Sequence, residues 1–433
     1  MDPVIAIIIL AGLILVALAI GMRVAFAIML ASMVGLLFLL DPAQPQVLGR
    51  QLWHATFSYT LTCVPLFVLM AEVLVNTGIS GQAYKVALQW LGPLRGGAAH
   101  ATVLGSAVFA AMSGSSVANA AAMGAIAGPQ MTKVGYSPKL AFGTIAAGGT
   151  LGILIPPSTA MIIYGSLTNE SIGHLFMAGV IPGLIGVALF FAVVTIWSYM
   201  RPQDAPALPR VPLRERLASL PSVIPAILLI VGVLGGIYGG IFSPTEAAGI
   251  GAFLAIVLGT VQGRMSRAVL RASLRSTVQV TVMIMFIIAA ANVLTYVIGF
   301  LQIPALLSRQ VLESGLPVLA ILILVGILII ILGCFVESVS LIVLTVPVVY
   351  PMINALGIDG MWFGVFLVLL VEIGLITPPV GMNLFVLQKV PGNQTFGDIA
   401  GGTTPYVIAM VILLGLMIAF PSIVTWLPDQ MSY

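Results

Sequence analysis

Two apolar stretches of this chain carry the same six-residue break, Gly152-Ile-Leu-Ile-Pro156-Pro157 and Gly374-Leu-Ile-Thr-Pro378-Pro379. Proline removes a backbone donor and collides with the preceding helical turn, so each stretch must stop being helix there. The spacing is as informative as the motif. Pro129 and Pro351 each lie 27 residues upstream of the first break proline, so both landmarks share one offset (378 − 156 = 351 − 129 = 222). Further on, Ser171-Ile-Gly173-His matches Thr395-Phe-Gly397-Asp at an offset of 224, and Ile181-Pro182 matches Thr404-Pro405 at 223. The chain reads as an internal duplication. Backbone groups freed at membrane depth persist only beside a cavity or an ion, so paired breaks point to a central ligand site.

That argument needs a membrane, and composition supplies it: 60% of residues are hydrophobic and 7% charged, with a mean hydropathy of +1.19. No water-soluble domain hides so much apolar chain. Segments 4–20, 24–40, 57–78, 174–199, 220–241, 246–262, 277–299 and 403–426 each approach the ~20 apolar residues that cross a bilayer as helix. The short alternating segments of a membrane β-barrel are absent. An all-α integral membrane protein is expected. Met1-Asp-Pro carries no basic n-region, so the first stretch reads as a retained span and not as a cleaved signal. Cys63 and Cys334 sit in apolar surroundings and read as small hydrophobes; His54, His100 and His174 have no ligand spacing, and no phosphate-binding Gly-x-x-x-x-Gly-Lys loop occurs.

Basic residues set the orientation, because Lys and Arg are retained on the cytoplasmic side. Arg201, Arg210, Arg214 and Arg216 mark one cytoplasmic loop, and Arg264, Arg267, Arg271 and Arg275 mark another. Both groups stay on one side only if 96–133 and 316–353 enter and leave on one face as re-entrant hairpins, while 139–166 and 361–388 cross fully despite their breaks. Then 14 of the 16 Lys and Arg are cytoplasmic, leaving Arg50 and Arg309 outside. Both termini come out periplasmic, and the halves enter the membrane with opposite orientation. The expectation is two inverted-topology repeats, 1–200 and 220–433, joined by a cytoplasmic linker, 201–219, with about ten transmembrane crossings plus two hairpins. Segments 80–94 and 264–276, which follow the third element or precede its counterpart, read as interfacial connector helices.

Chemistry is expected where a hairpin tip meets a broken helix. Ser113-Gly114-Ser115-Ser116-Val-Ala-Asn119 is a polar run in the middle of the first hairpin, and Glu337-Ser338-Val339-Ser340 occupies the second. Hydroxyls, amide oxygens and unwound carbonyls are the hard ligands that Na⁺ or Ca²⁺ prefers, and so few carboxylates favour a monovalent ion. One cation site is expected from Ser113, Ser115, Ser116, Asn119, Gly149, Gly152 and Pro156. Its symmetry mate is expected from Glu337, Ser338, Thr345, Gly374, Thr377 and Pro378. An anion would lie between the breaks against Ser158, Thr159 and Asn383, held by half-helix N-termini. Glu72 reads as reaching the cytoplasmic interface, and Glu372 as a support for the break at Gly374. A rigid block of hairpins and broken helices, 96–166 and 316–388, would slide past the remaining spans in an elevator motion. A channel is disfavoured because no ring of charge or polar pore-lining face occurs. An enzyme is disfavoured because the tip serines have no nearby His or Lys as a base.

Val64-Pro-Leu-Phe-Val-Leu-Met, Ser113-Gly-Ser-Ser, Gly152-Ile-Leu-Ile-Pro-Pro-Ser158, Gly333-Cys-Phe-Val-Glu-Ser338 with Pro347 and Pro351, and Gly374-Leu-Ile-Thr-Pro-Pro-Val-Gly-Met-Asn383-Leu-Phe-Val together resemble the large membrane subunit of tripartite ATP-independent periplasmic transporters, over essentially the whole chain. The resemblance implies Na⁺-coupled uptake of an organic anion such as a C4-dicarboxylate, a sialic acid or a keto acid across the bacterial inner membrane. It further implies a periplasmic substrate-binding protein and a small four-span membrane subunit as partners, with the lipid bilayer as solvent and no nucleic acid. The family's second hairpin usually carries Asp where this chain has Glu337. A standalone ion-coupled carrier is the alternative, distinguished by transport without partners.

Overall fold

The computed structural model describes residues 3–40, 45–391 and 394–431. Among these residues all regular structure is helical. Six helices are long and apolar enough to cross a membrane, or eight if two bent pairs each count once. The bends are 60° between Thr60–Asn76 and Gly81–Leu91, and 48° between Leu213–Ser222 and Ile224–Tyr238. Five further apolar helices are shorter, among them Gly97–Ser113, Val318–Gly333 and Gly360–Leu375.

Burial separates the spans into an inner and an outer class. The apolar window of the broken element Pro138–Thr168 is 94% buried, against 33% for Ile172–Met200, 33% for Pro244–Val261 and 39% for Phe396–Ala419. The outer helices therefore keep apolar faces for lipid or for other subunits, while the broken element is wrapped by protein. That is where non-helical backbone is tolerated at membrane depth.

Local chemistry explains each interruption. Helix Gly97–Ser113 ends at Gly114, whose φ of 58° lies in the left-handed region, where glycine carries no Cβ penalty. Ser115 then caps Ser116–Val134 by accepting from the Ala118 amide. Helix Pro138–Leu154 stops before Pro156, Ser158 accepts from the Met161 amide, and Thr159–Thr168 begins. In the second half, Val318–Gly333 ends at Cys334, Glu337 caps Ser338–Ala355, and Gly360–Leu375 stops before Pro378, with Met382–Gln388 beyond it. Both Pro-Pro peptide bonds, Pro156-Pro157 and Pro378-Pro379, are cis.

One expectation about connectors needs correction. Segment 264–276 is no separate interfacial element, because Arg267–Phe300 is one uninterrupted 34-residue helix. Ser276-Thr277 offers neither Gly nor Pro to break it. A further short amphipathic helix, Ile303–Glu313, starts 224 residues after helix Ile79–Leu91, and its mixed composition hid it from a hydropathy reading. Between residues 201 and 219 the chain also forms a short helix, Leu213–Ser219.

Candidate functional site at the helix breaks

The first tip docks onto the first break through backbone. Thr159 Oγ1 donates to the Gly114 carbonyl at 2.9 Å, which ties the hairpin tip to the start of the half-helix beyond the prolines. Gly152 permits the approach, since a Cβ there would fall 2.8 Å from the Ser115 carbonyl oxygen. The glycine of the break motif is thus a contact requirement as well as a helix-weakening residue.

Beneath the tip lies a buried polar network drawn from five helices. Ser116 Oγ donates to Glu372 Oε2 at 2.6 Å and accepts from Asn383 Nδ2 at 3.1 Å. Asn383 Nδ2 also lies 3.4 Å from the Ala146 carbonyl. Asn119 Nδ2 donates to the carbonyls of Ser106 at 3.0 Å and Gly148 at 3.2 Å. The donors of both amides are therefore used, and their oxygens are not. Asn119 Oδ1, Asn383 Oδ1 and Glu372 Oε1 are all buried with no donor, as are the hydroxyls of Ser106 and Ser113. Asn119, Glu372 and Asn383 are each 0% exposed. Buried polar atoms are normally paired, and an ionisable group at membrane depth is a functional group by default. Among the described residues the sole ion pair is Arg309 with Glu313, so no basic side chain balances Glu372.

The second tip is built on the same backbone plan with different polar contents. The Gly381 amide donates to the Cys334 carbonyl at 2.9 Å, docking tip to break as Thr159 does in the first half. Gly374 passes Gly333 so closely that a Cβ on Gly374 would lie 2.7 Å from the Gly333 Cα. The carboxylate here is satisfied locally. Glu337 accepts from the Ser340 amide at 3.3 Å, from Ser340 Oγ at 3.4 Å and from Ser338 Oγ at 3.1 Å, and it is half-buried. The Thr377 hydroxyl, just past the end of Gly360–Leu375, donates back to Ile373 at 2.6 Å, and the Thr345 hydroxyl donates within its helix to Leu341 at 2.8 Å, leaving their oxygen lone pairs available. The Ile376 carbonyl, freed by the break, accepts from Thr403 Oγ1 at 3.2 Å.

Of the residues singled out from the sequence, Ser115, Ser116, Asn119, Gly149 and Gly152 come together at the first tip; a Cβ on Gly149 would lie 3.0 Å from Asn383 Nδ2 and 3.1 Å from the Ser116 carbonyl. Asn383, expected beside Ser158 and Thr159, is instead bonded to Ser116. Ser158 serves as a buried helix cap and Thr159 as the tip clasp. Glu337 and Ser338 share the second tip, and Gly374 underlies it. Glu372 does more than support its break, and Ser106 went unnoticed. A carboxylate inside the 16-residue apolar helix Gly360–Leu375 was the available signal for the first; a lone Ser among alanines gave none for the second. Glu72 is half-buried and is engaged by Asn76 Nδ2 at 3.2 Å, near Ser273 of the long helix. Both cysteines are free and buried.

Comparison with known proteins covers nearly the whole chain. A family model described as "Tripartite ATP-independent periplasmic transporter, DctM component" matches residues 11–423. The C4-dicarboxylate TRAP transporter large permease protein DctM of Pseudomonas aeruginosa is 37% identical, over 92% of each chain. The sialic acid TRAP transporter large permease protein SiaM of Vibrio cholerae is 32% identical over 94% of this chain and 95% of that one. The 2,3-diketo-L-gulonate TRAP transporter large permease protein YiaN of Escherichia coli is 33% identical over 97% and 98%. Among solved structures, that of the Alcanivorax borkumensis YdaH transporter shares the fold, with a TM-score of 0.66 at 16% identity over 88% of this chain and 90% of that chain. With breaks, tips and buried carboxylate in place, the chain belongs to the DctM component family of tripartite ATP-independent periplasmic transporters, as a multi-pass membrane permease subunit and not an enzyme.

Proposed function

We propose that this subunit imports an organic anion, a carboxylate of the C4-dicarboxylate, sialic acid or keto-acid class, across the bacterial inner membrane, driven by a Na⁺ gradient. A periplasmic binding protein delivers the solute, and a small four-span subunit completes the membrane part. The observation that carries the ion coupling is the set of donorless oxygens at the first tip: Glu372 Oε1, Asn119 Oδ1 and Asn383 Oδ1. Three buried acceptors with one negative charge and no basic neighbour favour a bound monovalent cation. Ser113, Ser115 and the backbone of Gly149, Gly152 and Pro156 border that site. Glu337, Ser338, Thr345, Gly374, Thr377 and Pro378 form the second cation site. Substrate lies between the breaks, near Ser158 and Thr159.

Element spacing supports the inverted repeat behind this reading. Helix starts recur at Gly97 and Val318, Ser116 and Ser338, Pro138 and Gly360, and Ile79 and Ile303, that is 221, 222, 222 and 224 residues apart. Inverted repeats with hairpins on opposite faces suit an elevator, because each face then has its own gate around one transported site. The termini are periplasmic in this topology. The test is reconstitution of the chain with its small subunit and binding protein into proteoliposomes. Uptake is expected only with an inward Na⁺ gradient. Equal uptake with K⁺ in its place sinks the coupling, and uptake by the chain alone replaces the tripartite reading with a standalone carrier.

A further inference from the structure

The long helix Arg267–Phe300 begins with a cationic stripe that the site at the breaks does not use. Arg267, Arg271 and Arg275 recur every four residues and so share one helix face. All three are exposed. The helix contains no Asp or Glu, and the sole ion pair among the described residues lies elsewhere. Like charges four apart destabilise a helix slightly. An anion from outside the chain that met the stripe would relieve that cost.

The surroundings say which anion. The arginines line one open depression together with Leu270, Leu274 and Val278, and the apolar strip continues outward, with Leu274 46%, Val278 60% and Val282 62% exposed. A soluble anion has no use for exposed leucine and valine beside its charge. Depth agrees with this. From Val278 to Phe300 the helix rises roughly 33 Å at ~1.5 Å per residue, about the ~30 Å of a hydrocarbon core. When that part fills the core, the three guanidinium groups lie at headgroup level. The equivalent part of the first half, Pro45–Thr56, holds a single Arg, so the stripe belongs to one membrane face alone.

We propose that this face is a binding site for an anionic phospholipid. Its phosphate is gripped by the guanidinium forks of Arg267, Arg271 and Arg275, which match phosphate oxygens two at a time, and its acyl chain runs along Leu274, Val278 and Val282. Because Arg267–Phe300 packs against helix Cys63–Asn76 and the amphipathic helix Pro45–Thr56, the lipid would anchor an element of the second half that packs on the first. The proposal is independent of the coupling ion and of which face is cytoplasmic.

The experiment is lipid retention by the purified full chain, extracted from vesicles of equal phosphatidylglycerol and phosphatidylcholine and weighed by native mass spectrometry. The chain is expected to retain phosphatidylglycerol preferentially. The triple variant R267Q/R271Q/R275Q should lose roughly a hundredfold in affinity, at about fivefold per basic residue. The control R201Q/R210Q, which removes two exposed arginines of the linker, should keep wild-type retention. The triple lysine variant should keep part of the preference, which separates loss of charge from loss of fold. Equal retention by the wild type and the triple glutamine variant overturns the site. So does displacement of the lipid by millimolar glycerol phosphate, which would make it a soluble-anion site, or by the small subunit, which would make it a protein interface.

Discussion

The two tips of this molecule share a backbone plan and differ in what they bury. At the first, a tip carbonyl accepts from the side chain of Thr159; at the second, a tip carbonyl accepts from the main chain of Gly381, and 159 and 381 are equivalent at the 222-residue offset. Glycine underlies both, at 152 and 374. The polar fillings diverge: at the same offset Asn119 corresponds to Leu341, Ser106 to Leu328, Asn383 to Met161 and Glu372 to Thr150. The first tip thus has a buried polar network with oxygens to spare, and the second a half-buried carboxylate satisfied by its own helix. The geometry that breaks the helices is alike at the two tips, while their polar fillings differ.

The sharpest way to break this comparison is to neutralise each carboxylate in turn. Glu372→Gln keeps the shape and removes the charge, so Na⁺-dependent uptake should weaken roughly ten- to a hundredfold, the range for losing a charge-assisted bond. Glu337→Gln, at a half-buried position with serine partners, should cost much less. Sodium titrations of uptake in proteoliposomes decide it, and a more damaging Glu337→Gln reverses the assignment.

A second comparison concerns what is common to both tips. Gly152→Ala and Gly374→Ala each drive a methyl against backbone, 2.8 Å from the Ser115 oxygen and 2.7 Å from the Gly333 Cα. Backbone cannot rotate away as a side chain can, so overpacking of about 1–3 kcal/mol is expected at both sites. Uptake should fall at least about tenfold in each variant, with protein still present in the membrane fraction. Wild-type uptake in either one would mean that tip and break part during transport without needing this fit.

Serine separates the tips again. Ser116→Ala strands Glu372 Oε2 and leaves Asn383 Nδ2 with only a longer contact, so thermal unfolding in detergent should register roughly 1–3 kcal/mol of lost stability. Ser338→Ala leaves Glu337 its two contacts from Ser340, so the loss should stay below about 1 kcal/mol. Equal shifts would show that the first network is less dry than its burial implies.

These differences also mark how far the sequence could be read. Breaks and tips were legible because Pro-Pro, Gly and Ser runs act locally, on backbone within a few residues. Glu372 was visible as a charge in an apolar helix, but its partner Ser116 lies 256 residues away, and no local pattern announces such a pair. Asn383 shows the same limit: its sequence neighbours are the second break, while its hydrogen bonds run to Ser116 of the first tip. The continuous helix Arg267–Phe300 was divided because hydropathy falls across its cationic start, although nothing in that start breaks a helix. Periodic composition locates membrane-embedded segments; it does not say where a helix stops.

The smallest expected effect tests the departure at the second tip. Glu337→Asp shortens the side chain by one methylene at the N-cap of Ser338–Ala355, where Glu337 accepts from the Ser340 amide. Aspartate is among the best N-cap residues, so the cap should be retained or improved by a few tenths of a kcal/mol. The carboxylate would draw back toward its own helix and away from the break at Gly374. If Glu337 holds a cation together with Thr377 and the freed carbonyls of the break, the variant should alter Na⁺ affinity about twofold, with maximal uptake unchanged. The same change at Glu372, buried on all sides and bonded to Ser116, should be far more costly because the shortened side chain draws away from Ser116 and leaves a buried gap. Parallel Na⁺ titrations of Glu337→Asp and Glu372→Asp measure that contrast; equal losses would place the two carboxylates in equivalent environments and end the case for specialised tips.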